Sequence, residues 1–336
     1  MLDFSGLPGK HRGLAATATP TGIFTILALD HRQSFFKMLN PDDPGSVPFS
    51  DAVSAKAQVV SMLAPHASGV LLDPLFGAAQ AIVSGALPGQ TGLLVAVEKT
   101  GYSGETTARR SRILPDWSVA KIKRLGANAV KLLIYFHPHS GTLAQRQEQL
   151  VQEVVDQCRE YDIPLFLESV SYSIDPLHDK RSRRFATLRP QIIAESAHRL
   201  SRLRPDVLKL EFPVDASMDQ DQDHWLAACE AVSEASDLPW TVLSAGVDLP
   251  TFARQVEIAC RAGASGYIAG RSVWKEAITM PENQQEAWLR DVGASRLEAL
   301  SAIAEEYARP WTSFLDPAAP LPGKGWHARY GVPASR

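Results

Sequence analysis

The sequence predicts a single (β/α)₈ barrel of the TIM type, on three observations. Eight short apolar runs alternate with amphipathic stretches of helical period. The runs are apolar almost without interruption, as parallel strands covered on both faces must be. Polar side chains recur near their C-terminal ends, the end where such barrels keep their active sites.

The first three runs are GIFTILALD (22–30), GVLLD (69–73) and GLLVAVE (92–98). AVKLLIYF (129–136), PLFLESV (164–170) and VLKLEFPV (207–214) follow, then WTVLSAG (240–246) and GYIAGRS (266–272). Between them SDAVSAKAQVVSML, DWSVAKIKRLGA, LAQRQEQLVQEVVDQCREY, PQIIAESAHRLSRL, QDHWLAACEAVSEA and LPTFARQVEIACRAG carry apolar residues at helical spacing. Eight such units in about 250 residues match the usual length of a closed barrel. A doubly wound open sheet would announce a glycine-rich fingerprint after its first strand, and none is present. The expected organisation is one domain over 1–336, with the barrel core at about 22–308. Residues 39–50 form a Pro/Gly/Asp/Ser loop, and 309–336 a Pro/Gly-rich tail. Trp311, Phe314, Trp326 and Tyr330 suggest that the tail packs on a surface or a second subunit.

Composition narrows the function classes. Of 336 residues, 45% are hydrophobic and 21% charged, ordinary values for a globular protein with a large core. A net charge of -3 offers no basic excess for a polyanion, so nucleic acid is not an expected partner. The N-terminus lacks the apolar core of a signal peptide, and no segment reaches the roughly 18 apolar residues of a membrane span, so a cytoplasmic, non-membrane protein is expected. Cys158, Cys229 and Cys260 are widely spaced in helical stretches and read as reduced thiols.

The strand tips carry Asp30, Asp73, Glu98, Lys131, Glu168, Lys209, Glu211, Ser244 and Arg271. Side chains alternate across a strand, so in DVLKLEFPV Lys209 shares a face with Val207 and Glu211, opposite Leu208, Leu210 and Phe212. The wholly apolar face suits the helix layer, which turns Lys209 into the barrel. Lys131 repeats the arrangement inside AVKLLIYF, and Glu168 joins from the next strand. A buried ammonium needs an ion partner or a task. A structural ion-pair network is one reading. The other is an amine made nucleophilic by burial and a neighbouring cation, which attacks a ketone while a carboxylate moves protons.

The motifs ALDHR (28–32), LLDPLFG (71–77), EKTGY (98–102), DWSVAKIKRLGANAVKLLIY (116–135) and IPLFLE (163–168) occur in order with DVLKLEFPV (206–214), LPWTVLSAGVD (238–248) and AGASGYIAGRSVW (262–274). In these the chain resembles the class I aldolases that include the tagatose-1,6-bisphosphate and sulfofructose-phosphate enzymes, over most of residues 22–275. The resemblance implies a Schiff-base lysine at Lys209, with Lys131 and Glu168 assisting proton transfer and Asp30 at the substrate hydroxyls. It implies a phosphate held by Ser244, Gly246, Gly270 and Arg271. Barrels also often bind phosphate independently in their last two βα loops. His31 stands in ALDHR where the tagatose enzymes carry glutamine, and is expected among the substrate contacts.

The implied reaction splits a ketohexose 1-phosphate derivative, tagatose 1,6-bisphosphate or 6-deoxy-6-sulfofructose 1-phosphate, to dihydroxyacetone phosphate and an aldehyde. No cofactor is required, and the partner is a small sugar phosphate. The basic stretch LHDKRSRRFATLR (177–189) is a candidate for the distal anion. His137 and His139 invite a zinc reading, but no third ligand is evident and no metal is expected. A metal-dependent lyase and a non-catalytic sugar-phosphate sensor are the rivals. Retention of Lys209, Lys131 and Glu168 together argues against a sensor, which needs no nucleophile. Barrels of this size commonly form dimers or tetramers, so a homo-oligomer is expected.

Overall fold

The computed structural model describes residues 1–331. The last residues of the predicted tail, 332–336, lie outside them. The eight runs form strands β1 (Phe24–Leu29), β2 (Gly69–Leu72), β3 (Gly92–Ala96), β4 (Ala129–Tyr135), β5 (Leu165–Val170), β6 (Val207–Glu211), β7 (Trp240–Leu243) and β8 (Gly266–Ala269). Each pairs in parallel with the next, and β8 pairs with β1, closing one barrel. All the strands but β5 end before their apolar runs do. There the backbone leaves the sheet, so Asp30, Asp73, Glu98 and Ser244 sit in the βα loops of the mouth and Arg271 opens a helix, whereas Lys131, Glu168, Lys209 and Glu211 lie within β4, β5 and β6.

The alternation predicted for β6 is realised. Val207 joins Phe24, Ile26, Ala28, Leu71, Leu94, Ala129, Phe166 and Ile268 in a cluster filling the barrel, whereas Leu208, Leu210 and Phe212 belong to the larger core between strands and helices. Burying each such side chain contributes roughly 1.5–3 kcal/mol, so the inward direction of Lys209 is imposed by its apolar neighbours.

Helices α1 (Pro8–Thr17), α2 (Gln33–Leu39), α3 (Phe49–Leu63) and α4 (Ala78–Val83) occupy the first part of the chain. Then come α5 (Val119–Arg124), α6 (Thr142–Glu160), α7 (Arg183–Ser201), α8 (Gln222–Glu234), α9 (Leu249–Arg261) and α10 (Arg271–Ile278), with α11 (Glu282–Trp288) and α12 (Ala294–Tyr307) last. Six of these, α1, α2, α4, α10, α11 and α12, are not among the helical stretches read from the sequence, and three departures have a visible cause. α7 starts before Pro190 because the Ser182 hydroxyl accepts the Phe185 N–H, so the proline lies inside the helix. α10 begins at Arg271, within the run read as the eighth strand. α1, unread because its sequence is scarcely amphipathic, lies against the N-terminal ends of the strands: Gly13 and Gly92 have no room for a Cβ beside Asn128, Pro164 and Ala16.

That end of the barrel is tied down by charge. The Asp162 carboxylate accepts the Gly9 and Lys10 N–H groups at the start of α1, and buried Lys10 donates to Asp206 at 2.8 Å. Trp311 and Phe314 of the tail are buried in the barrel-filling cluster beside Leu2. Cys158, Cys229 and Cys260 are buried free thiols, and burial pushes all three above the usual thiol range. Among the described residues, no helix is long and apolar enough to cross a membrane.

Candidate active site

The C-terminal mouth opens into a cavity of about 350 Å³ whose wall contains Asp30, His31, Glu98, Lys131, Glu168, Lys209, Ser244, Gly246, Gly270 and Arg271. Every site residue read from the sequence is therefore gathered in one cavity. Strand register explains its centre: Glu168 is the direct cross-strand partner of Lys209, and Ala96, two residues before Glu98, is that of Lys131.

The two lysines differ in their surroundings. Lys131 Nζ lies 2.7 Å from Asp30 Oδ2, 2.7 Å from Glu98 Oε1 and 2.9 Å from Glu168 Oε2. Burial opposes its charge, but the Asp30, Glu168 and Glu98 carboxylates outweigh burial and hold it well above the usual lysine range. Lys131 is thus a permanent ammonium. Lys209 Nζ has one acceptor, Glu168 Oε2 at 2.8 Å, the same oxygen that Lys131 approaches, and the residue is only 4% exposed. Its amine therefore has room to make another bond.

The carboxylates are ionised for the converse reason. Burial would raise Glu168, but Lys131 and Lys209 bring it below its ordinary value. Asp30 is lowered far more strongly, with Lys131 and Lys209 overriding burial. Glu168 joins both lysines through one oxygen and so rests as a base beside the amine.

The segments just after β7 and β8 bring Ser244, Gly246, Gly270 and Arg271 together. Ser244 Oγ accepts the Gly270 N–H at 3.3 Å, and Arg271 donates to the Ala245 carbonyl at 3.3 Å. Gly246 has φ +85°, and a Cβ there would sit 3.1 Å from the Arg271 guanidinium carbon, so glycine permits both the turn and the arginine lying across it. Arg271 is also the first residue of α10, so its positive charge stands at a helix N-terminus.

Other strand-tip residues are engaged in ion pairs of their own. Asp73 pairs with Lys56 of α3, and Lys56 also donates to the carbonyls of Leu29 and His31, on either side of Asp30. Glu211 accepts from Lys180 at 2.5 Å and from the Ser171 hydroxyl at 2.6 Å. Burial would raise Glu211, but Lys180 and Arg189 bring it down to about 2. Two cations of the 177–189 stretch are thereby engaged with a single carboxylate. Arg109 also stands beside this corner, its guanidinium 4.5 Å from the Tyr102 ring centre. His139 pairs with Glu195, and His137 Nδ1 accepts the His139 N–H. Among the described residues, no group of three or more His, Cys, Asp or Glu side chains is placed to hold a metal ion.

Because Glu211 is depressed in the fold, its stabilising contribution is complete above about pH 4.5 and is lost as pH falls toward 2. Urea denaturation at pH 6 and pH 3.5 is expected to show a smaller acid loss in Glu211→Gln than in the wild type.

A closed βα barrel with buried lysines and carboxylates gathered in its C-terminal mouth is the architecture of an enzyme. Residues 24–276 match the DeoC/LacD family aldolase, and the chain belongs to that family. It is 34% identical over 309 residues to tagatose 1,6-diphosphate aldolase 1 of Streptococcus pyogenes serotype M3 (strain SSI-1), covering 87% of this chain and 94% of the relative. Tagatose 1,6-diphosphate aldolase 2 of Enterococcus faecalis (strain ATCC 700802 / V583) is 31% identical over 330 residues, covering 90% and 96%. In fold, the chain is similar to a Schiff-base-forming fructose-1,6-bisphosphate aldolase, with a TM-score of 0.57 and 21% identity over 87% of this chain and 98% of that one. The fructose-bisphosphate aldolase of Plasmodium falciparum gives a TM-score of 0.64 at 14% identity over 89% and 94%.

Glu98 was read as a strand-tip residue but given no role. The signal was present in EKTGY, a carboxylate closing an apolar run, but its contact with Lys131 depends on barrel register. Arg32, which lies 3.7 Å from Glu98 and lines the cavity, was likewise missed.

Proposed function

We propose that the chain is a Schiff-base aldolase that reversibly cleaves tagatose 1,6-bisphosphate to dihydroxyacetone phosphate and glyceraldehyde 3-phosphate. The observation that carries this reading is the unequal pair of lysines: Lys131 held by three carboxylates, and Lys209 with one partner and an open side toward the cavity. The relatives named above supply the substrate.

Catalysis begins when the Lys209 ammonium passes a proton to Glu168 Oε2, 2.8 Å away. The freed amine adds to the C2 carbonyl. After a proton moves from nitrogen to oxygen, the carbinolamine hydroxyl takes the Glu168 proton and leaves as water. The resulting iminium is the electron sink. Glu168, again a carboxylate, accepts the C4 hydroxyl proton as the C3–C4 bond breaks and its electrons form the enamine. Protonation at C3 and hydrolysis of the iminium release dihydroxyacetone phosphate. Lys131 keeps Asp30 ionised and favours the return of Glu168 to its carboxylate form after each proton transfer, with Asp30 at the substrate hydroxyls. The C1 phosphate occupies the Ser244, Gly246, Gly270 and Arg271 cradle and aligns C2 with Lys209.

Arg271→Ala is expected to raise KM for the bisphosphate at least about tenfold with a smaller change in kcat, as for a charge-assisted contact worth roughly 1.5–3 kcal/mol. The proposed scheme routes no step through a metal. Aldol cleavage followed through coupled oxidation of triose phosphate is expected to be unchanged by EDTA, and its abolition would favour a metal-dependent lyase. A distal sulfonate is the alternative substrate, and comparing kcat/KM for the two ketose phosphates separates them. The proposal includes a cytoplasmic homo-oligomer, dimer or tetramer. Exposed Leu321, Trp326 and Tyr330 of the tail are its candidate contacts, and light scattering of the full chain tests it.

A further inference from the structure

His31 occupies the wall between Asp30 and the cradle. Its Nδ1 is buried without a hydrogen-bond partner and lies 3.9 Å from Asp30 Oδ1, while the side chain keeps 21% of its surface open. The imidazole lies directly over Gly270, where a Cβ would come within 2.9 Å of Cε1 and 3.5 Å of Nε2. Trp274 of α10 supports it edge-on, 5.3 Å between ring centres. Glycine at 270 therefore brings a titratable ring against the turn that leads into Arg271.

The charged groups acting on this ring come from four elements. Asp30 stands beside it at the end of β1, Arg271 opens α10, Lys209 projects from β6, and Lys56 reaches from α3 to the His31 carbonyl. Burial together with the Arg271, Lys209 and Lys56 cations lowers the imidazole to about 3, against the pull of Asp30. In the empty site His31 is neutral. A doubly charged oxyanion in the cradle reverses that balance, because it offsets the Arg271 charge and gives an imidazolium a partner.

We infer that His31 takes up one proton from solvent when a phosphate dianion enters the cradle, so that the ester is held by a permanent guanidinium and by an imidazolium present only in the complex. The inference rests on the cradle assigned above. It makes His31 a selector of ligand charge: a neutral sugar does not recruit the second cation, and a dianion does. Since the bound state holds one more proton than the free state, affinity falls as pH rises, by at most about tenfold per pH unit between the free and bound pKa values of the ring.

Sulfate is the probe of choice, because it stays doubly charged where a phosphate monoester has a second ionisation at about pH 6. Titration calorimetry of the full chain at pH 6, in two buffers of different ionisation enthalpy, reads the proton uptake. The expected result is an uptake approaching one proton per sulfate, abolished in both His31→Gln and His31→Asn, each still binding sulfate with an affinity insensitive to pH. Sulfate binding to the wild type without uptake, or equal uptake by the variants, overturns the role of His31 and leaves the cradle standing. Absence of sulfate binding, or binding untouched by Arg271→Ala, removes the cradle and the inference with it.

Discussion

Lys209→Ala is expected to lower turnover by roughly 10⁴-fold or more, the scale seen when a covalent nucleophile is removed. Lys99, Lys131 and Lys209 line the cavity, and of the two buried amines Lys209 is the one with an open approach. Lys131 is enclosed by Asp30, Glu98 and Glu168 and stays charged. The substitution should spare the fold, because Glu168 keeps Lys131 at 2.9 Å and no carboxylate is left without a cation. Melting close to wild type with activity gone is therefore the expected pair of results. Near-normal turnover would mean that the nucleophile lies elsewhere.

Lys131→Met is expected to be damaging in a different way. It leaves Asp30 and Glu98 buried in the mouth without their shared ammonium, and breaking a buried pair by removing one partner costs about 3–5 kcal/mol. Chemical denaturation at pH 7 measures that deficit directly. The deficit should shrink on acidification, because protonating either carboxylate removes the uncompensated charge. Activity should fall as well, since Glu168 and Asp30 lose the cation that keeps them ionised. A deficit below about 1 kcal/mol that does not vary with pH would show Lys131 to be no keystone of the cluster.

Much of the barrel was legible because its signals are local. Continuous apolar runs such as AVKLLIYF, and the alternation in VLKLE that turns Lys209 inward, depend only on neighbouring residues and the two-residue period of a strand. The contacts between strand tips were less legible, because they depend on register around the closed sheet. The neighbours of Lys131 and Lys209 were anticipated as a group. The sharing of one Glu168 oxygen, the part played by Glu98 and the diversion of Asp73 to Lys56 appear only once β1 to β8 are closed. Two helices misled the reading for identifiable reasons. Pro190 was read as a helix start although Ser182 caps α7 upstream, and α1 lacks an apolar stripe because it is held by Asp162 and by the strand ends.

The central claim is that Lys209 forms a covalent bond to a ketose phosphate. Incubating the chain with dihydroxyacetone phosphate and sodium borohydride, followed by peptide mass spectrometry, tests it most directly. The account predicts a reduced adduct on the peptide containing DVLKLEFPVD, at Lys209, in the presence or absence of EDTA. No adduct, or one on Lys131 or another lysine, would contradict it and leave the lysines of the mouth as a structural ion-pair network.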